Sequence, residues 1–228
     1  VQLNVRHDSD SEFGGKSTGS AAYGYAITPQ WRATASVGTA FRAPTLYHRF
    51  SEYGVATLRP ESSRNAEVAL RYAQGNSTFS ATLFRNRVSN LISFSGPGTC
   101  LSDFGCYANT ARAEYKGVTF AGSHRVGDVQ LHGSIDLQRP RDLDTGKQLA
   151  RRAKQHATFG ADTRLAGWTV GAEVQASGRR FDTVANTNVL GGYALVNLYA
   201  STRIARDYTL IARIDNLADK DYQLARTY

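Results

Sequence analysis

The 228-residue chain is informative first in what it lacks. It has two cysteines, five prolines and no methionine. No stretch approaches the ~18–20 uninterrupted apolar residues of a membrane-spanning helix, so helical spans are excluded. No basic segment with an apolar core opens the chain at Val1, so the expectation is a leader already removed or a portion of a longer protein. Catalytic signatures are missing too. There is no Gly-x-Ser-x-Gly elbow, His-Glu-x-x-His pair, phosphate-binding glycine loop or Cys-x-x-Cys, and no enzymatic role is expected. The five histidines, at 7, 48, 124, 132 and 156, show no metal-ligand spacing, and none is assigned as a ligand. Disorder is excluded by 12 Tyr, 10 Phe and 2 Trp, too many for a chain that stays solvated.

The two cysteines, Cys100 and Cys106, enclose Leu-Ser-Asp-Phe-Gly, which reads as a turn. Two readings stand: a small disulfide-closed loop made in an oxidising compartment, or two unpaired thiols. Their closeness, with no other thiol in the chain, favours the disulfide. So short a ring contributes about 2 kcal/mol in the loop-entropy model. It stiffens a loop rather than holding a fold together. Neither His nor a second Cys pair lies near enough for a metal site.

What is present is alternation with period two, the mark of half-buried strands. Val129, Leu131, Gly133, Ile135 and Leu137 oppose Gln130, His132, Ser134, Asp136 and Gln138. Trp168, Val170, Ala172, Val174 and Ala176 oppose Thr169, Glu173, Gln175 and Ser177. The segments 31–42, 79–83, 155–162 and 208–215 alternate in the same way. Short polar turns are expected at 28–30, 74–77, 125–128, 165–167 and 204–207. Longer loops are expected at 8–16, 42–63, 95–107, 138–150 and 181–191. Short and long in succession means up-and-down hairpins with one plain end and one elaborate end. About 11 strands are expected, several reaching the ~9–11 residues that cross a bilayer when tilted.

A soluble β-sandwich or β-solenoid also alternates. It would bury a face rich in Leu, Ile and Phe, whereas this apolar face is lean, with many Ala and Val. The polar face carries charge throughout, as at Asp136, Lys154, Asp162, Glu173, Arg179 and Arg213. Trp31, Trp168 and Tyr208 each follow a short turn, where an aromatic girdle meets the membrane interface. The fold class expected is therefore all-β: an antiparallel up-and-down transmembrane β-barrel, present in part. Its odd strand count suggests a chain cut at both ends, since single-chain bacterial barrels have even counts. Lysines and arginines exceed aspartates and glutamates by 27 to 19, a net +8. These cations are scattered rather than gathered in one patch, so nucleic acid is not expected as a partner. A polar lumen and outer-membrane lipid, with its lipopolysaccharide phosphates, account for them better.

Several segments carry a family resemblance. Phe-Arg-Ala-Pro-Thr-Leu from Phe41, Leu-Arg-Pro-Glu-Ser-Ser from Leu58, and Glu67 resemble the mid-barrel signature of TonB-dependent outer-membrane transporters. Asn90-Leu91-Ile92 follows in order. Tyr107-Ala108-Asn109 with Tyr115-Lys116-Gly117-Val118 resembles the family's next segment, with Thr119 where Glu is usual. The run from Ile214 to Tyr222 resembles the motif before the last strand. Within the family, Leu149-Ala150-Arg151-Arg152-Ala153-Lys154-Gln155 is most similar to the vitamin B12 (cobalamin) transporters.

The resemblance covers residues 1–228. It implies the C-terminal portion of a barrel of about 22 strands closed by a plug, with the plug, early strands and last strand absent from this chain. It further implies residence in a Gram-negative outer membrane, coupling to the TonB complex through the missing plug segment, and active import of cobalamin bound at the extracellular mouth. No cofactor is expected in this chain; the calcium-binding loops of cobalamin transporters belong to earlier strands. A siderophore or haem receptor, a passive porin-like barrel and a soluble binding module remain as alternatives. Arg151 and Arg152 stand where a long loop enters its strand, and suit phosphate and amide oxygens. Tyr228 corresponds to a mouth tyrosine of the cobalamin members. Phe181, Asp182 and Ala185 lie in another mouth loop. The Phe41–Pro44 and Pro60–Glu61 segments read as structural.

Overall fold

The computed structural model describes residues 1–95 and 102–226. Eleven strands form one antiparallel sheet in chain order. They are β1 (Gln2–Asp10), β2 (Gly14–Ala26), β3 (Trp31–Arg42), β4 (Glu61–Gln74), β5 (Ser77–Ser95), β6 (Cys106–Val126), β7 (Val129–Asp142), β8 (Gln155–Leu165), β9 (Trp168–Ser177), β12 (Tyr193–Ala205) and β13 (Tyr208–Ile214). A five-residue helix, α1 (Leu46–Phe50), lies between β3 and β4. A two-stranded ribbon, β10 (Arg180–Phe181) with β11 (Val189–Leu190), lies between β9 and β12. Each strand of the main sheet pairs only with its neighbours, so among the described residues β1 and β13 each keep a free edge.

The exposures settle which face is which. On the apolar face Leu83, Val37 and Val68 are 62%, 59% and 56% exposed, whereas Ala69 on the opposite face is 6% exposed. A soluble sandwich would reverse this order. The apolar face is the outward one, and the polar face lines the inside. Polar side chains pair there: Thr119 Oγ1 donates to Asp136 Oδ1 (2.5 Å) and Asn65 Nδ2 to Glu67 Oε1 (2.7 Å). Trp31 and Tyr72 pack together near the short turns, with ring centroids 4.9 Å apart.

The expected turns at 74–77, 125–128 and 165–167 close tightly, with Gly75, Gly127 and Gly167 at φ +52°, +58° and +83°. These backbone angles favour glycine. Gly117 serves a different purpose. A Cβ there would lie 2.1 Å from the carbonyl oxygen of Leu137, so the strands could not approach at that row with any other residue.

Two of the long connections differ from the sequence expectation. The expected loop at 8–16 is a three-residue turn, because β1 and β2 pair as far as Asp10 with Gly14. Asp10 Oδ1 accepts from the backbone N–H groups of Glu12 and Phe13, which shapes that turn. β5 ends at Ser95 and β6 begins at Cys106, so the expected loop at 95–107 keeps its place, whereas β7 runs on to Asp142 and into the expected loop at 138–150. Its extension, Gln138–Asp142, is polar apart from Pro140, so alternation does not reveal it. Cys106 is buried and disulfide-bonded; Cys100 lies outside the described residues.

Above Leu137, β7 has lost β8 as a neighbour. Residues 147–154 turn back along this edge. Gln138 N donates to Lys154 O (2.8 Å), Leu149 N to Pro140 O (3.1 Å) and Asp142 N to Lys147 O (2.9 Å). Pro140, fully buried, sits on this edge, where its missing N–H removes one donor to satisfy.

The face assignment predicts that Leu131→Arg costs ~2–4 kcal/mol near the membrane midplane. Gln130→Arg, on the inner face opposite Asp162, should be nearly silent. Urea unfolding of the bilayer-inserted protein compares the two, and equal losses would contradict the assignment.

Candidate functional site

The long connections gather at one end of the sheet, and the returning segment 147–154 sets the geometry there. Leu149 and Ala153 are buried, so the residues between them project away from the sheet. Arg151 adopts φ +57°. Its N–H donates to Phe181 O (2.6 Å), and its Nε to Asp182 Oδ1 (2.8 Å). The Asp182 side chain is fully buried, while that of Arg151 is 39% exposed. Asn186 completes the junction. Its Oδ1 accepts from Gln148 N (2.8 Å), and its Nδ2 donates to Gln148 O (2.8 Å). Gln148 Nε2 in turn donates to Arg152 O (2.5 Å). Two loops that are separate in sequence thus form one unit.

This unit brings together Arg151, Arg152, Phe181, Asp182 and Ala185. Arg152 and Ala185 are exposed, Phe181 is half-buried and Asp182 is covered. Asp182 therefore holds Arg151 in place, and the Arg152 side chain is exposed beside it. Tyr228 lies outside the described residues.

Sequence reasoning missed the neighbouring anchor. Arg180 is 5% exposed. Its Nη2 donates to Gln223 O (2.6 Å), and its guanidinium lies 5.4 Å from the Tyr193 ring. Tyr193 packs on Tyr222 with centroids 4.5 Å apart. Arg180 thereby ties the chain after β13 to the same loops. The signal was slight, because Arg180 reads as one more strand-end cation.

A second group was also missed. Tyr107 packs against His48 (4.7 Å), Phe94 (5.6 Å) and Tyr47 (6.1 Å), and Tyr53 against Phe94 (5.7 Å). The density of Tyr and Phe around α1 was visible in sequence, but not its meeting with the ends of β5 and β6. The phenol of Tyr53 is pushed up by its hydrogen bond to Glu52 and by that carboxylate's charge, so it remains a neutral donor at neutral pH. Arg49 fixes the connection. It donates to Ala56 O (3.0 Å) and ion-pairs with Glu12 of the β1–β2 turn.

The family motifs do structural work below this end. Glu61 pairs with Arg42 (3.0 Å) and accepts from Ile92 N (2.7 Å). Asn109 accepts from Arg59 N (2.8 Å) and donates to Arg59 O (2.9 Å) and Asn90 O (2.7 Å). Asn216 Oδ1 accepts from Lys220 N, and its own N–H donates to Asn197 Oδ1 (3.0 Å). Among the described residues no group of three or more His, Cys, Asp or Glu could hold a metal ion. The mouth therefore offers arginines and a tyrosine-rich cluster: charged donors for anionic or amide oxygens, and rings for an apolar face.

Comparison with known proteins agrees with this architecture. Residues 1–217 match the family model described as TonB dependent receptor-like, beta-barrel. The vitamin B12 transporter BtuB of Vibrio cholerae serotype O1 is 32% identical over 237 residues, covering 100% of this chain and 37% of that protein. The vitamin B12 transporter BtuB of Photobacterium profundum is 29% identical, covering 99% of this chain and 38% of its own length. The chain thus spans well under half of these relatives. Among solved structures, the copper transporter OprC superposes with a TM-score of 0.75 at 19% identity, over 93% of this chain and 37% of its own. The ferric enterobactin receptor PfeA of Pseudomonas aeruginosa gives 0.74 at 20%, over 95% and 36%. At these identities the structures establish the fold alone.

The loop junction makes a prediction of its own. Arg151→Ala leaves the Asp182 carboxylate buried without that partner, so it should cost the junction ~1–3 kcal/mol, below the range for a fully buried pair because Arg151 is part-exposed. Arg151→Ala with Asp182→Ala should cost less than Arg151→Ala alone. Hydrogen exchange of residues 147–152 and 181–188 reads this directly. A double variant worse than the single would mean that the pair does not position the loops.

Proposed function

Because this chain belongs to the TonB-dependent receptor β-barrel family of Gram-negative outer membranes, we propose that it is part of an active transporter that takes up cobalamin. The ligand would bind at the extracellular mouth. A plug and further strands in the rest of the protein would complete the barrel, and the TonB complex would drive release into the periplasm. The protein carries out no covalent chemistry in this reading; it binds, then rearranges.

One observation carries the choice of ligand: similarity along the whole of this chain, at 32% identity, to relatives named as vitamin B12 transporters, which includes the Arg151-Arg152 segment. The mouth supports it. Cobalamin presents amides, a phosphodiester and a broad apolar ring, and Arg151, Arg152 and the Tyr47–Tyr107 group match those in kind. A siderophore is the second reading. Such a ligand, anionic and aromatic, would also suit arginines and tyrosines.

The test is cyanocobalamin binding by the full-length protein in detergent, with a ferric siderophore as competitor. Binding is expected, and Arg152→Ala or Tyr228→Ala should weaken it roughly 10-fold or more, the loss of one charge-assisted or buried hydrogen bond. Absence of cyanocobalamin binding by protein that is folded and heat-modifiable would overturn this ligand. Tight siderophore binding in its place would establish the second reading.

A further inference from the structure

The strand register places a set of cations where a barrel least tolerates them. Directly opposed residues of an antiparallel pair point to the same face. One row across β4–β7 is Val68, Leu83, Val118 and Leu137, on the outward apolar face. The next row toward the long connections is Ala66, Arg85, Lys116 and Arg139. The one after is Arg64, Arg87, Glu114 and Arg141. Six cations thus face outward, against one carboxylate, and the change from apolar to basic falls at the same register row in β5, β6 and β7. These are not lumenal residues.

The cluster is organised. Glu114 is 4% exposed. It accepts from Arg85 Nε (2.7 Å) and Arg87 Nε (3.1 Å), and Lys116 Nζ lies 3.3 Å away. Arg141 Nε donates to Gly146 O (2.9 Å). Arg85, Arg87 and Lys116 keep about half of their side-chain surface open, at 49%, 57% and 49%. One buried carboxylate therefore holds three cations in position without exhausting them. Beneath them an apolar groove of about 1120 Å³ crosses the outward face over Leu3, Val37, Val68 and Leu83, and Arg85, Lys116 and Arg139 stand at its rim.

We propose that this face binds lipopolysaccharide of the outer leaflet, with the phosphates of its lipid A on the cations and acyl chains in the groove. The commitment to one occupant rests on charge and position. Outward charge is costly in hydrocarbon and tolerable at headgroup level, and the cations lie at the end with the long connections, which is the extracellular end of such a barrel. A free anion would have no use for the groove. Uncharged lipid would have no use for the arginines. A glycolipid with two phosphates and several acyl chains uses both. The proposal rests on membrane placement, not on the identity of the transported ligand.

The test uses the purified full-length protein in detergent, stripped of lipid, with the temperature of its heat-modifiable transition as readout. Bisphosphorylated lipid A is titrated against its dephosphorylated form, phosphatidylglycerol and inorganic phosphate. Bisphosphorylated lipid A should raise the transition, and the other three should require at least 10-fold higher concentrations or have no effect. Arg64→Gln, Lys116→Gln and Arg139→Gln combined, which keep the Arg85–Glu114–Arg87 bonds, should weaken the lipid A effect at least 10-fold. The lumenal control Arg71→Gln should not, and cyanocobalamin binding should be the same in all of them. Equal response to phosphatidylglycerol or to inorganic phosphate, or an undiminished response in the triple variant, would overturn the proposal. The lipid series on the unsubstituted protein decides it even where the triple variant does not fold.

Discussion

In hydrocarbon no water is available to pair a backbone N–H or C=O, so every such group must be satisfied by the protein itself. The rest of this structure follows from that requirement. It explains a ladder that runs without interruption through eleven strands. It explains why a face carrying Leu83 and Val68 is turned outward rather than buried. Above the hydrocarbon, where β7 outruns β8, residues 147–154 pair with its open edge, and Pro140 stands where one donor fewer is needed. That pairing holds the loop bearing Arg151 and Arg152 in place.

The same requirement explains what the sequence disclosed. Within the membrane the period of two is enforced by lipid on one side and water on the other, so faces and turns could be read closely; the expected strand at 31–42 is β3 as found. Outside the membrane nothing enforces it. The upper part of β7, Gln138–Asp142, is polar apart from Pro140, and there the sequence resembles loop. The site was legible only in outline. Two loops could be placed at the mouth, but the bond from Arg151 to Asp182 spans 31 residues, and no local pattern encodes it. Arg180 was hidden for the same reason: its partners, Tyr193 and Gln223, lie beyond a ribbon that alternation does not show.

The motifs that disclosed the family are structural in this fold. Asn90, Asn109 and Glu61 close one hydrogen-bonded knot below the mouth, and Asn216 closes another after β13. These knots solve a problem common to any barrel of this kind, namely how a strand ends without leaving a polar group bare. That is why the fold is shared, at 19–20% identity, with proteins named for copper and for ferric enterobactin. Above the knots lie loops whose composition is free, the kind of segment on which folds of this sort vary their function.

Parity also gives the same residue type two meanings. An arginine on an even position of β7's inner face would meet water; Arg139 and Arg141, on the outer face, meet the membrane boundary. Near the midplane an outward arginine costs ~2–4 kcal/mol, falling to ~0–1 kcal/mol at the interface. Six such cations, five Arg and Lys116, at mid-depth would exceed the stability of most domains, so the cluster fixes the depth of the barrel: the hydrocarbon must end between the row of Leu137 and the row of Arg139. The other limit is set by Trp31, Trp168 and Tyr208 beside the short turns. The apolar outward run of β7, Val129 to Leu137, is about 27 Å long at ~3.4 Å per residue. Tilted by ~40°, it covers about 21 Å of the membrane normal, against an apolar band of about 25 Å in outer-membrane barrels. The two boundaries, one basic and one aromatic, are therefore set by the strand's own length, and they leave the mouth loops wholly above the membrane, where a large polar ligand can reach them.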